Sequence, residues 1–574
     1  MKRESSALTA NEFDLLIVGA GIFGACAALD AAMRGLRVAI VDRGDFGGAT
    51  SANSYKIAHG GVRYLQHGDI PRIIESSREQ SALLRVAGHL VRPLPIMIPT
   101  YGHGARGKEV LRLGFGAYDL ITAGRNRGIR DASCRIPRAR FLSRAEALHH
   151  YPALPASGLT GAALFHDAQM YNTPRLTLAF LRSAAEAGAV ILNYAEVRGF
   201  LREGARIHGV TVNDGISGGQ LDVRARVVLN AAGPWAVPLV EERLDLDFGD
   251  RPTFSRDVAL VTRRRFHPAI GLACPAVTRD ADAVLDRGGR HLFLLPWRGF
   301  TLVGVWHGVY SGSPDELEVS DDELGGFVAE ANQAYPGLNL ASEDVVMVNT
   351  GLILFGQEDQ PGREHSFGKR SLLVDHARRH RLEGLVTLVG VRATTARGMA
   401  EAAVDLVLRK LGRRAIRSAT ARTPVWGGDV SDMIQLVAEL RARHAWVGPL
   451  TAQALGRNYG SGASEVLDLA ETEPGLQASL GGSPVLAAEV AYAARVEMAQ
   501  TLDDVVQRRT DLGTAENPGG EALVAAADVL ALELNWDNAR RNAELSAGRA
   551  FFARRGALRT FRPKSPVATE RRSA

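Results

Sequence analysis

Three glycines and one acid define the first chemistry in this sequence. Gly19-x-Gly21-x-x-Gly24 lies between two apolar runs, Leu15 to Val18 and Val38 to Val41, and the second run ends in Asp42. Gly19 suits a tight turn, Gly21 lets backbone approach a pyrophosphate, and Gly24 lets a helix pack closely on a strand. The N-terminus of the Ala-rich helix that follows offers unpaired N–H groups and a positive dipole end to phosphate. Asp42, about 20 residues on, can accept the hydrogen bonds of an adenosine ribose, and its charge disfavours a 2′-phosphate, which argues against NADP. An ordinary strand–helix–strand unit would explain the glycines alone; flanking strands plus a spaced acid point to a dinucleotide. The position near the N-terminus, and the segment directly after Asp42, favour FAD over NAD.

That segment is dense in polar chemistry. Gly47, Gly48, Ala49, Thr50 and Ser51 suit a loop wrapped round a cofactor, and Lys56-x-x-His59-Gly60-Gly61-x-Arg63-Tyr64 comes next. A solvated loop is the plain alternative, but two adjacent glycines and few acids set the segment apart. Two further glycine corners come later. Residues 224–236 run from a strand into Ala231-Ala232-Gly233-Pro234-Trp235, and residues 385–397 run from a strand through Gly390-Val391-Arg392-Ala393-Thr394-Thr395 into a helix. A glycine turn at a helix N-terminus suits the electron-rich end of a reduced flavin.

The nucleotide turn followed by T-S-x-x-S-x-K-x-x-H-G-G-x-R-Y-L, residues 50–65, resembles the FAD-dependent glycerol-3-phosphate dehydrogenases, of the glycine-oxidase-like flavoprotein superfamily. The N-A-A-G-P-W segment at 230–235 and the C-terminal runs TLDDVVQRRT and ELNWDNARR extend the likeness over nearly the whole chain. The resemblance implies that Thr50, Ser51 and Ser54 line the pyrophosphate and flavin. Lys56 and His59 would face the isoalloxazine, and Arg63 and Tyr64 the substrate. Val197 would touch adenine through its backbone, with further cofactor contacts from Ala232, Gly233, Trp235, Gly390, Arg392, Thr394 and Thr395.

The substrate positions of the family pattern are only partly kept. Arg63 matches, Lys369 stands for an arginine, and Arg392 for a lysine, which leaves the pocket cationic. Ile353, however, stands where the pattern places a phosphate-binding arginine. Asp257 replaces a histidine, Phe254 a lysine (with Arg256 nearby), and Trp306-His307 replaces Thr-Asp. Losing one charge-assisted phosphate contact costs about 1.5–3 kcal/mol, roughly ten- to a hundredfold in affinity. Either Arg256 or another group compensates and glycerol 3-phosphate remains the substrate, or the pocket has shifted to another polyol phosphate or hydroxy acid.

Oxidising a secondary alcohol through flavin needs the substrate within about 3–3.5 Å of the acceptor, a base for the hydroxyl proton, and cations for an anionic substrate. His59 and His307 are the candidate bases, with Asp257 a further option. Arg63 and Arg392 join them in the catalytic set; Arg63, Tyr64, Arg256, Asp257, Lys369 and Arg392 form the substrate-binding set. No metal-ligand cluster stands out from spacing, and the flavin itself carries the redox step. The expected partners are a small anionic alcohol and a quinone or other electron acceptor. Similar proteins of this length tend to be homodimers, peripheral on the cytoplasmic membrane face. A flavin-binding protein without turnover is the reading from another class.

These groups need an α/β fold to position them: a Rossmann-like FAD-binding domain, an antiparallel-sheet substrate domain and a C-terminal α-helical domain. The expected boundaries are 12–90 with 150–250 and 365–412, then 91–149 with 251–364, then 420–553, with a basic tail at 554–574. Residues 71–92, 176–187 and 399–411 read as helices, residues 292–310 as two strands about a turn at Gly299, and 485–509 as a helical core stripe. Asp167, Gln169, Asn172 and Pro174 read as a turn. Ser143 with Glu146 reads as a capping box. The helix within 93–125 is amphipathic, fit for core packing or a membrane surface.

Composition sets outer limits. A hydrophobic share of 46% with 23% charge fits a soluble globular chain with a sizeable core. Cys26, Cys134 and Cys274 lie far apart, which argues against a disulfide framework or a zinc site and suits a reducing compartment. No apolar run reaches the roughly 18 residues of a membrane span. The tail carries Arg554, Arg555, Arg559, Arg562, Lys564, Arg571 and Arg572 against Glu570, so seven positive charges less one negative, +6, of a net +5 lie there and the rest sums to −1. The basic balance therefore belongs to the tail, which reads as a solvated end or, more sharply, as a loose attraction for anionic lipid or nucleic acid, and no nucleic-acid motif accompanies it.

Overall fold

The computed structural model describes residues 1–104, 107–249, 253–275, 291–355, 371–414 and 416–554. Lys369 and the tail beyond Arg554 lie outside the described residues.

Strands buried on both faces build the first sheet. Phe13–Val18 is buried along its whole length, as the centre of a parallel sheet covered by helices must be. It runs parallel to Val38–Val41 on one side and Gln220–Asn230 on the other; Val190–Leu192 and Leu385–Val389 extend the parallel run. Leu372–Asp375 closes one edge antiparallel, and the hairpin Ala195–Glu203 with Arg206–Asp214 pairs with Gln220–Asn230. Helix Ile22–Met33 packs on Thr173–Glu186 and Ala396–Lys410. Its alanines 25, 27, 28 and 31 are fully buried, and such small side chains let neighbouring helices approach closely.

The second sheet has nine strands among the described residues. Their order is Val345–Phe355, Thr253–Thr262, Phe300–Tyr310, His291–Trp297, Gly271–Pro275, Val91–Tyr101, Leu159–Met170 and Ile57–Ala58, with Arg140–Leu142 added beside Leu159–Met170. Only Gly271–Pro275 with Val91–Tyr101 is parallel. The turn expected at Gly299 is a two-residue hairpin in which Arg298 and Gly299 both take positive φ, 52° and 85°, the twist that matches adjoining strands. The Ser143–Glu146 capping box is present, with both reciprocal bonds made.

Several expectations need correction. Leu159–Met170 is one strand that runs through Asp167 and Gln169; the turn comes only at Asn172, which caps helix Thr173–Glu186. That strand and Ile57–Ala58 belong to the second sheet, whereas the boundaries drawn from sequence place residues 12–90 and 150–250 with the first. Helix Ile70–Val86 stops short of 92, because Val91 already pairs in the second sheet. The stripe 485–509 is two elements: helix Ala487–Glu497 ends at Met498, which takes φ 58°, and a wider turn follows at Asp504–Arg509. All three cysteines are free and buried.

Candidate active site

The three glycine corners pack on one another. Gly19 takes φ 100°, and a Cβ there would lie 2.7 Å from the Ala231 carbonyl oxygen. A Cβ on Gly24 would lie 1.9 Å from the Gly19 carbonyl oxygen, so Gly24 packs helix on turn and does not line the cleft. At Gly390 a Cβ would overlap the Phe23 ring. Gly21, Gly233 and Gly390 all line one cavity of about 1120 Å³ between the two sheets.

One end of the cavity suits a nucleoside. Asp42 accepts from Ala20 N–H at 2.6 Å and Gly44 N–H at 2.9 Å, and burial pushes its carboxyl up to about 6 against those bonds. Val197, Ala232 and Trp235 stand along the wall. Arg43 lies 4.2 Å over the Trp235 ring, and Asp315, from the segment after Phe300–Tyr310, bonds both Arg43 (2.7 Å) and Trp235 Nε1 (3.1 Å).

In the middle, the loop residues divide. Ser51 Oγ accepts Ile22 N–H at 3.0 Å and keeps its own proton for an acceptor in the cleft. Thr50 also lines the cleft, but its hydroxyl donates to Leu352 C=O at 3.0 Å and accepts Leu352 N–H at 3.2 Å, tying the two sheets together. Ser54 lines the cleft. Lys56 does not: it is buried, its ammonium 4.8 Å from the Trp297 ring centroid and 3.3 Å from Ser54 C=O. Thr394 Oγ accepts His59 N–H at 3.0 Å, while Thr395 is buried behind it and donates to Arg392 C=O.

The remaining end carries the acid–base groups. His59 Nδ1 lies 3.1 Å from Asp167 Oδ2, and Asp167 Oδ1 accepts from Gly60 N–H and Gln80 Nε2. His307 Nδ1 lies 2.7 Å from Asp257 Oδ1, which also accepts from Ser255 Oγ. Both histidines line the cavity, as do Arg63, Tyr64, Arg72 and Arg392. Arg72 and Arg392 flank the Tyr64 ring at 5.4 and 5.3 Å. Ile353 and Phe254 stand in the wall as apolar groups. Arg256 does not line the cleft: its guanidinium is drawn off to Glu318 C=O and to the Glu323 carboxylate. It is therefore not the cation that replaces the missing arginine.

Asp167, Arg72, Arg43, Asp45 and Asp315 line the cleft but are absent from the set read from sequence. The one acid in the strand Leu159–Met170 was the available signal for Asp167; the others carry none. One further His/carboxylate group, His444, Asp468 and Glu471, has ligand atoms within 4.8 Å of one another. It is not part of the cleft, and Arg443 and His444 already bond its two carboxylates.

A parallel sheet with a glycine turn at a helix N-terminus, joined to an antiparallel sheet across a cleft holding two His–Asp pairs, defines a dinucleotide-dependent oxidoreductase. The chain belongs to the FAD dependent oxidoreductase family, whose model matches residues 14–406, and residues 418–541 match the C-terminal domain of alpha-glycerophosphate oxidase. Among curated relatives, the glycerol-3-phosphate dehydrogenase of Synechocystis sp. is 31% identical over 539 residues, 91% of this chain and 93% of that one. The human mitochondrial glycerol-3-phosphate dehydrogenase is 32% identical over 96% of this chain and 75% of its own. In fold, the chain is similar to the Bacillus halodurans glycerol-3-phosphate dehydrogenase complexed with FAD, with TM-score 0.74, 24% identity and 96% of each chain covered. The cleft's lining fits FAD: N–H donors at the helix N-terminus at Ile22 and the Ser51 hydroxyl for phosphate, the Asp42 carboxylate as acceptor for ribose, and one cavity lined from Trp235 to Tyr64.

Proposed function

We propose that this cleft holds FAD and oxidises the secondary hydroxyl of glycerol 3-phosphate to the ketone of dihydroxyacetone phosphate. The observation that carries this reading is the meeting of three glycine corners, two His–Asp pairs and the Arg63–Arg72–Arg392 group in one cavity. FAD, when bound, accepts the two electrons and the hydrogen from carbon. The protein's part is placement and proton transfer. Asp257 accepts the Nδ1–H of His307, which fixes the tautomer and puts the basic lone pair on Nε2, the atom that takes the hydroxyl proton. The family pattern has histidine at 257 and aspartate at 307; here the two are exchanged. Asp257 and His307 are direct cross-strand partners, so the exchange keeps the pair and moves the base to the neighbouring strand. Arg72 and Arg392, both beside the Tyr64 ring and paired at present with Asp69 and Glu75, take the anionic headgroup that Ile353 cannot hold.

A hydroxy acid is the second reading, favoured by that apolar Ile353 wall, since a carboxylate needs fewer cations than a phosphate. Anaerobic bleaching of the flavin tests both. Rapid bleaching by glycerol 3-phosphate supports the first; bleaching by a 2-hydroxy acid alone supports the second; a flavin that neither reduces refutes both.

Electrons leave to a quinone or another acceptor, with the protein as a homodimer on the cytoplasmic membrane face. Supporting this, helix Lys108–Ile121 lines the cleft with Val110, Leu111, Gly114 and Phe115 while exposing Leu113 (76%) and Leu120 (79%) outward. Among the described residues no helix is long and apolar enough to cross a membrane. The division into FAD-binding, substrate and C-terminal helical domains is part of the same reading, with Ile57–Ala58 and Leu159–Met170 moved to the substrate domain because both pair in the second sheet.

A further inference from the structure

Asp45 lies on the loop joining Val38–Val41 to the Thr50–Ser51 turn, lines the cleft, and has a side chain with no exposure at all. A carboxylate so deeply buried needs full compensation. Its compensation comes from the far end of the chain. Arg509 grips it with two parallel bonds, Nη1 to Oδ2 and Nη2 to Oδ1, each 2.7 Å. Arg508 Nε adds a third at 2.7 Å and Asn193 Nδ2 a fourth at 3.1 Å. Arg509 is itself fixed through Nε and Nη2 to Glu497 C=O, and Arg508 to Asp504, whose carboxylate also accepts from Tyr194 OH.

From Asp45 the bonds continue to the cofactor turn. Gly44 N–H donates to Asp42, Ala20 N–H donates to the same carboxylate, and Gly47 N–H donates to Ala20 C=O. Neither arginine lines the cleft.

We propose that Arg508 and Arg509 are positioning residues for the FAD loop, so that cofactor binding and docking of the C-terminal helices are one coupled equilibrium. This rests on the cleft being the FAD site. Without the arginines, Asp45 must reach water or take a proton, and either change shifts the loop that holds Asp42 against Ala20. By linkage, whatever docking contributes to FAD affinity, FAD returns to docking.

The test uses full-length protein stripped of flavin. FAD affinity is measured by fluorescence titration, and hydrogen exchange of residues 500–510 is followed with and without FAD. The variants are Asp45→Asn, which keeps shape and removes charge, Arg509→Met, and Arg509→Lys as the conservative partner. Arg495→Met serves as control, because Arg495 bonds Glu473 and Glu533 within the C-terminal helices but not Asp45. We expect FAD to slow exchange at 500–510 in the wild type. Affinity should fall roughly 5- to 150-fold in Arg509→Met and Asp45→Asn, recover partly in Arg509→Lys, and hold in Arg495→Met. In Asp45→Asn, FAD should no longer slow exchange at 500–510. Exchange there that ignores FAD in the wild type, or unchanged affinity in Asp45→Asn, overturns the proposal. If Arg509→Met does not fold, Asp45→Asn and Arg509→Lys decide. A wild-type protein that binds no FAD overturns instead the assignment of the cleft.

Discussion

His307 and Asp257 meet across two paired strands, and their chemistry is set by which nitrogen carries the proton. A base oriented this way contributes about 10²–10⁴-fold to rate. His307→Asn is expected to lower kcat by that order with a small change in KM, and Asp257→Asn to lower it less, because the imidazole stays but loses the carboxylate that orients it. An unchanged kcat in His307→Asn would pass the role to His59. At the other end, Asp42 with its carboxyl near 6 bonds ribose hydroxyls best when ionised. FAD affinity of the stripped protein should therefore weaken as pH falls through about 6, and Asp42→Asn should flatten that dependence. Both histidines were readable as residue types. Asp257 was readable too, but the two pairings were not, because Asp257 reaches His307 only through strand register, and Asp167 is far from His59 in the chain.

Glycine corners are elements whose role is spatial exclusion. A Cβ on Gly390 would sit 1.9 Å from the Phe23 ring, so Gly390→Ala must push the ring or the corner. Overpacking of this kind costs about 1–3 kcal/mol, and the check is a lower melting temperature together with weaker FAD retention. The corners were legible because glycine spacing and flanking apolar runs are local. Other elements were not. Leu159–Met170 holds polar residues at Asp167 and Gln169 that mimic a turn, yet pairing with Val91–Tyr101 keeps it extended. The stripe at 485–509 keeps helical spacing while Met498 turns the chain, a change that burial of both flanking segments permits and periodicity does not show. Arg256 and Asp257 are neighbours in sequence, but only Asp257 lines the cleft, because Glu323 and the Glu318 carbonyl hold Arg256 elsewhere.

Two helices that line the cleft, Ile70–Val86 through Arg72 and Lys108–Ile121 through Leu111, also expose large apolar side chains. Ile70 and Ile74, each about half exposed at 50% and 51%, lie on the helix leading from the Tyr64 turn, in addition to Leu113 and Leu120 on Lys108–Ile121. Replacing Leu113 and Leu120 by Glu should abolish sedimentation with phospholipid vesicles and slow reduction of a long-chain quinone, while anaerobic flavin bleaching by substrate continues unchanged. Loss of bleaching as well would show that the helix serves the cleft and not a lipid surface.

Asp315 reaches from one sheet to Arg43 and Trp235 on the other, across the adenosine end of the cavity. Such a clasp gives assembly an order: the flavin must be seated before the two halves close, or wait for them to part. Flavin supplied while the chain refolds should then yield more yellow protein than flavin added afterwards, and the bound molecule should exchange with the surrounding pool only slowly, faster as salt loosens the half-exposed ionic contact.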